Sequence, residues 1–246
     1  MLFNTIDFVI FFFLVVGIIT ILKYRRFQHI FIIFASVFFL YYTNSYLIVI
    51  LIFTILFHYY IGRQIYKADS KDGKKIFLIA GLAGSLGLLG FFKYADFAIA
   101  QFNIFGNFVD LGSEIPLLNL ALPIGISFYT FQSISYIIDI YRGNLTPSKT
   151  LREYAFFVAF FPTLVAGPIL RARQFLPQLR EKIEQSGTTG RLRQFVIQHS
   201  NLKFGLTLMA LGFLKKMFFA DNIGLLVDKI FSNPIGMESF SIMLGA

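Results

Sequence analysis

Residues 3–22 form a block of twenty positions with one charge, Asp7, and further apolar blocks follow at 27–61, 76–92, 117–141 and 201–220. Twenty residues in a helix rise about 30 Å, the thickness of a bilayer's hydrocarbon core. Several such blocks in one chain indicate a polytopic membrane protein. In lipid every backbone polar group must be bonded internally, so the expected class is all-α, a bundle of transmembrane helices. Composition agrees: 57% of the residues are hydrophobic and 14% are charged, with a mean hydropathy of +0.70. A soluble domain carries about 25% charged residues. A disordered chain, a nucleic-acid-binding domain and an ordinary cytosolic enzyme are thereby excluded. Membrane lipid is an expected partner and nucleic acid is not. Cysteine is absent, which removes disulfides, thiolate metal sites and cysteine nucleophiles.

The 22 Lys and Arg against 13 Asp and Glu report orientation in such a chain rather than an acidic partner. Nothing basic precedes the first block, and Lys23, Arg25 and Arg26 follow it. A cleaved signal has the opposite order. The first block therefore reads as an uncleaved anchor with the N-terminus outside and the basic cluster in the cytoplasm. Residues 27–61 fit two helices with a turn at Thr43, Asn44 and Ser45. The basic stretch 62–75 reads as a cytoplasmic loop. The span at 76–92 carries Gly81, Gly84, Gly87 and Gly90, small residues that let helices approach closely. Residues 93–116 hold one lysine against Asp96, Asp110 and Glu114 and suit the outer side. Their phenylalanines, Phe97, Phe102, Phe105 and Phe108, predict an amphipathic helix along the interface. A further span is expected at 117–141. Another runs outward at 201–220, with Lys215 and Lys216 snorkelling or facing a polar interior. Residues 221–239 follow as an outer segment.

Residues 154–170 break the alternation. They are apolar, yet a full crossing would place Arg171, Arg173, Arg180, Lys182, Arg191 and Arg193 outside. Pro162, Gly167 and Pro168 interrupt the segment, and interior prolines break the helical ladder. A re-entrant segment that dips in and returns to the cytoplasmic side removes both conflicts. Broken backbone at membrane depth is tolerated only against protein or a wet cavity, so the segment is expected to line one.

Polar residues suited to chemistry concentrate at 125–140. Tyr129, Gln132, Ser133, Tyr136 and Asp139 share one face of a helix. They read either as interhelical hydrogen-bonding groups or as the lining of a substrate path, with Tyr129, Gln132 and Tyr136 as path candidates. Asp139 and Arg142 are three apart and are expected to pair. His29 and His199 read as interfacial, and His58, an ionisable group inside a span, reads either as a hydrogen-bonded structural group, the favoured reading, or as a functional one. No metal-ligand cluster, G-x-S-x-G, P-loop or dinucleotide fingerprint is present, and no bound metal or cofactor is expected. The arginines after 170 follow from orientation. Arg171 and Arg173 are also candidates for holding the phosphates of an acyl donor, since arginine grips phosphate bidentately.

Three stretches, LPIGISFYTFQSISYIIDIYRG (122–143), FFPTLVAGPILRARQFLPQL (160–179) and FLKKMFFADNI (213–223), carry a family likeness. KYRRFQHIFIIFASVFFLYY (23–42) and FFKYADF (91–97) agree in place and order. The chain resembles the membrane-bound O-acyltransferase (MBOAT) family, in its alginate O-acetyltransferase (AlgI-like) branch. The resemblance implies an acetyltransferase that moves an acyl group from a cytoplasmic donor such as acetyl-CoA across the membrane. It implies an exported polysaccharide, alginate-like, as acceptor and an extracytoplasmic acetyltransferase as partner. The family's catalytic histidine lies in a G-L-W-H-G-like motif and a second in a W-R-R-W-H-like motif. Neither occurs in these 246 residues, which hold no tryptophan. His29, His58 and His199 match neither motif. The chain stops at Ala246 just as an apolar stretch begins. Residues 1–246 are therefore expected to be the N-terminal part of one MBOAT-type domain, truncated before its catalytic histidines and inactive alone. A transporter or a non-catalytic scaffold of an export complex are the alternatives, and no internal repeat favours the first.

Overall fold

A computed structural model of the protein describes residues 5–22, 24–43, 48–109, 114–164, 167, 170–185, 199–232 and 243. All regular elements among them are helices: α1 (Ile6–Ile21), α2 (Arg25–Thr43), α3 (Ile48–Lys67), α4 (Lys71–Phe108), α5 (Ile126–Tyr141), α6 (Leu151–Val158), α7 (Phe161–Leu164), α8 (Ala172–Gln185), α9 (His199–Leu214) and α10 (Asp221–Ser232). Two of them, α3 and α4, are long and apolar enough to cross a membrane, and α1 and part of α2 are shorter apolar helices. The chain divides into a unit of residues 21–194 and a unit of residues 1–20 with 195–246.

In the larger unit α3, α4 and α5 pack mutually. Leu51, Thr54, Ile55, His58, Ile61, Gly62 and Ile65 form the buried stripe of α3 at helical spacing. Glycines set the approach. A Cβ on Gly62 would stand 2.6 Å from Tyr136 Cε1 of α5, and one on Gly81 would stand 2.7 Å from Ile137 Cδ1. Gly84 takes the Phe57 ring, but Gly87 and Gly90 have nothing within 4 Å. The expected glycine packing thus holds for Gly81 and Gly84 only. Gly62→Ala should lower stability by about 1–3 kcal/mol through overpacking. Gly87→Ala should be neutral or stabilising by up to about 1 kcal/mol. Thermal unfolding of the two purified variants checks the pair, and equal melting temperatures would defeat it.

Several expected boundaries move. The basic stretch 62–75 is mostly helix: α3 runs to Lys67 and α4 starts at Lys71, with the Ser70 side chain accepting the Gly73 N–H at 3.0 Å. Residues 97–108 are helical, not as a separate helix but as the end of α4, which continues unbroken for 38 residues. An extended segment then turns back along it. Asp96 Oδ1 accepts the Leu118 N–H at 2.7 Å. Asn103 closes a pair of bonds with the Ile115 backbone at 2.8 and 2.9 Å, and Asn107 donates to Glu114 at 3.2 Å. Asp96, Asn103 and Asn107 are seven and four apart, so one face of α4 holds the whole strap. The span expected at 117–141 becomes helical only at Ile126. Pro123 and left-handed Gly125 (φ 78°) close a turn there, with the Ile126 N–H donating to the Pro123 carbonyl at 3.1 Å.

In the smaller unit α9 passes through a π-helical turn, Lys215–Ala220, straight into α10. The outer segment expected from 221 is therefore helical to Ser232. Lys216 is paired with Asp221, five residues on, where the wider turn brings the two together.

Candidate functional site

The polypeptide breaks between α6 and α7, at Ala159 and Phe160, and both sides of the break are tied to other helices. A helix end leaves backbone groups unpaired, and buried ones must find partners. Phe157 O, in the last turn of α6, accepts from Gln132 Nε2 of α5 at 2.9 Å. The Phe161 N–H, at the start of α7, donates to Ser36 Oγ of α2 at 3.1 Å. Ser36 in turn donates to Ile32 O at 2.7 Å. Pro162 stands at the second position of α7, where its missing N–H costs nothing. A Cβ on Gly167 would run into the Thr163 backbone and lie 3.0 Å from Pro162 O, so only glycine lets the chain fold back there. Pro168 lies outside the described residues. Tyr154, Phe156, Phe157, Val158, Ala159, Phe161 and Leu164 are all buried. The broken segment is thus enclosed by protein, the condition for irregular backbone at membrane depth.

The polar face of α5 divides by what each group holds. Gln132 fixes the α6 terminus. Tyr136 Oη accepts the Ser148 N–H at 3.1 Å, pinning the 142–150 loop, and its ring centroid lies 4.4 Å from that of Tyr154. Tyr129 Oη, Thr130 Oγ1 and Asp139 Oδ2 are buried without hydrogen-bond partners, and the Ser133 hydroxyl meets that of Tyr154 of α6. The expected Asp139–Arg142 pair is therefore not made through that oxygen; Arg142 is exposed where the helix ends.

The loop is closed by a charged cluster that the sequence reading passed over. Thr150 caps α6 by accepting the Glu153 N–H at 3.2 Å. Glu153 Oε2 accepts the Lys149 N–H at 2.8 Å. Arg180 of α8 binds Glu153 Oε1 at 2.6 Å, Thr146 Oγ1 at 2.8 Å and Pro147 O at 3.0 Å. The T-x-x-E spacing at 150–153 is a capping-box signal that was available for it. Arg171 and Arg173 flank the start of α8 and are exposed, while Ala172, Leu176 and Leu179 face inward. That is one side of an amphipathic helix.

Of the histidines, His58 is buried and bridges two helices. Its Nδ1 lies 2.9 Å from Thr54 O and its Nε2 2.6 Å from Ser85 Oγ of α4. The carbonyl only accepts, so Nδ1 carries the hydrogen. His29 is buried rather than interfacial, 3% exposed, with its ring centroid 5.1 Å from that of Phe156. Packing of α6 onto α2 covers it. His199 begins α9, and its side chain lies outside the described residues. Among the described residues no three of His, Asp and Glu gather as metal ligands.

No family model and no solved structure matches the chain. Curated relatives do. A peptidoglycan O-acetyltransferase of Helicobacter pylori is 32% identical over 93% of this chain and 46% of its own length. A probable alginate O-acetylase AlgI of Pseudomonas aeruginosa is 38% identical over 73% of this chain and 32% of its own. A teichoic acid D-alanyltransferase of Bacillus subtilis is 30% identical over 52% of this chain and 32% of its own. The chain spans about half, or less, of the length of these relatives. By this likeness, in the stretches that hold the α5 face and the broken segment among others, the chain belongs to the membrane-bound O-acyltransferase family.

Proposed function

We propose that these residues build part of the scaffold and acyl path of an enzyme that moves acetyl from a cytoplasmic donor, acetyl-CoA, across the bacterial inner membrane. The acceptor is a hydroxyl on an exported polysaccharide or cell-wall glycan. An extracytoplasmic acetyltransferase takes part in the transfer. The observation that carries the reading is the break at Ala159–Phe160, braced from two sides and set against a polar face inside an otherwise apolar core. A helix broken and enclosed in this way fits a re-entrant segment in a polytopic bundle, with the N-terminus outside. In the reaction the acceptor oxygen bonds to the acetyl carbon, the thioester C–S bond breaks, and the hydroxyl proton passes through a base to the departing thiolate. The base is a histidine of the family's later motifs, so residues 1–246 alone transfer nothing. Tyr129, Gln132 and Tyr136 stand at the path, with Pro162, Gly167 and Pro168 shaping its wall. Arg171 and Arg173 meet donor phosphates.

The test is ester-linked acetyl in exported glycan from cells carrying the intact reading frame, compared with cells lacking it. No difference between them would end the enzyme reading. Arg171→Glu and Arg173→Glu should each raise the donor KM about 10- to 100-fold, the worth of one charge-assisted hydrogen bond. A KM that stays put would return both arginines to a purely orienting role.

A further inference from the structure

Two contacts fix the register of α3 against α4. The His58 ring meets Ser85 Oγ at 2.6 Å, and a Cβ on Gly81 would stand 3.0 Å from Ile61. The helices run antiparallel from the elbow at 68–70. Six residues on from Ile61 is Lys67, and six back from Gly81 is Lys75, so the two lysines share one level. Arg63 lies one turn further in on α3. Away from the elbow, the exposed residues of both helices follow the same order. On α3 the basic Lys67 and Arg63 give way to Tyr60, then to Leu56 and Ile52. On α4 Lys75 gives way to Ile79 and Leu86. No described carboxylate pairs with Arg63, Lys67 or Lys75. Arg63 is also held in place. It donates to Tyr59 Oη at 2.7 Å, and its guanidinium carbon lies 5.3 Å from the centre of that ring. That bond uses one of its five N–H donors and leaves the others for a ligand.

We propose that Arg63, Lys67 and Lys75 form a docking surface for anionic phospholipid, holding headgroup phosphates in the leaflet on the elbow side of α3 and α4. This rests on α3 and α4 crossing the membrane and not on acetyl transfer. Three cations without a carboxylate partner match the charge of such a leaflet. The apolar face that continues directly from them selects a lipid over a soluble phosphate. Leu56, Ile52, Ile79 and Leu86 can carry the acyl chains of the same molecule whose phosphate the cations meet. Depth agrees as well. From Lys67 to Arg63 the helix rises about 6 Å, close to the thickness of one headgroup layer. Tyr60 follows at the boundary, where an amphipathic ring is favoured. Asp69 and Asp72 lie at the elbow itself, beyond the lysines, and Asp72 sits in the first turn of α4, where it complements the helix dipole.

The test titrates the intact protein in detergent micelles with phosphatidylglycerol or phosphatidylcholine and counts bound lipid by native mass spectrometry. The wild type should bind the anionic lipid about 100-fold more tightly than the zwitterionic one, about fivefold for each cation. A variant combining Arg63→Gln, Lys67→Gln and Lys75→Gln should bind the two lipids alike. The three side chains are exposed, so this variant should melt with the wild type. Lys93→Gln, further along α4 and away from the elbow, should keep the full preference. Rising salt should shrink the wild-type preference, because exposed charges are screened. Equal binding of the two lipids by the wild type, or a preference that survives in the triple variant, would overturn the surface. Displacement of phosphatidylglycerol by an equal concentration of inorganic phosphate would overturn the lipid as its occupant. An intact protein that shows the preference and transfers no acetyl would end the enzyme reading and leave this surface standing.

Discussion

Arg180→Met is expected to lower the stability of the larger unit by about 3–5 kcal/mol. The size follows from what the guanidinium leaves behind. Its ion pair with Glu153 has side chains only 18% and 9% exposed, so the carboxylate is largely out of water. Without Arg180 that carboxylate keeps only the Lys149 N–H, and the Thr146 and Pro147 carbonyls lose their donor. Breaking one side of a buried pair is much worse than removing both sides. Glu153→Gln in the Arg180→Met background should therefore recover more than half of the loss. Chemical denaturation of the single and double variants measures this. A single variant within about 1 kcal/mol of wild type would show that the pair behaves as an exposed one.

Gln132→Leu is expected to cost about 1–3 kcal/mol, the penalty for a buried carbonyl left without its donor. Leucine nearly matches the volume, so packing is kept and the Phe157 carbonyl is the main loss. The break at Ala159 should loosen first. Hydrogen exchange across 157–161 should therefore accelerate more than exchange within α3, which Gln132 does not brace. Uniform acceleration would mean that Gln132 supports the whole unit rather than the break.

Much of this arrangement is written in residue chemistry. Pro162 and Gly167 announce a broken segment, and its interruption, enclosure and tight fold-back all follow. The alternation of polar residues on α5 announces a buried polar face. What the pattern does not reveal is the partner each polar group finds. Gln132 and Tyr129 look equivalent on a helical wheel, yet one meets a helix terminus 25 residues on and the other meets nothing. Ser36 reaches Phe161 across 125 residues, a pairing no local spacing encodes. Helix ends fail for a different reason. Charge marks where lipid should stop, but a helix stops where its hydrogen bonds do. Thus α4 runs on past Lys93 and Asp96, and the helix of α9 continues as a π turn through Lys215 and Lys216 into α10. His29 shows the same limit: its position beside Arg25 and Arg26 suggests a surface, and only packing onto Phe156 buries it.

The length of α4 exceeds what a bilayer crossing needs. Thirty-eight residues extend about 57 Å, nearly twice a hydrocarbon core of about 30 Å. A helix that merely matched the bilayer would be tilted or pulled whenever the lipid thickened or thinned. This one has reserve. Its distal third, clasped by the strap through Asp96, Asn103 and Asn107, is held by its own chain rather than by lipid. The grip on α3 and α5, at Gly81 and Ser85, lies in the first half of α4, clear of the strap.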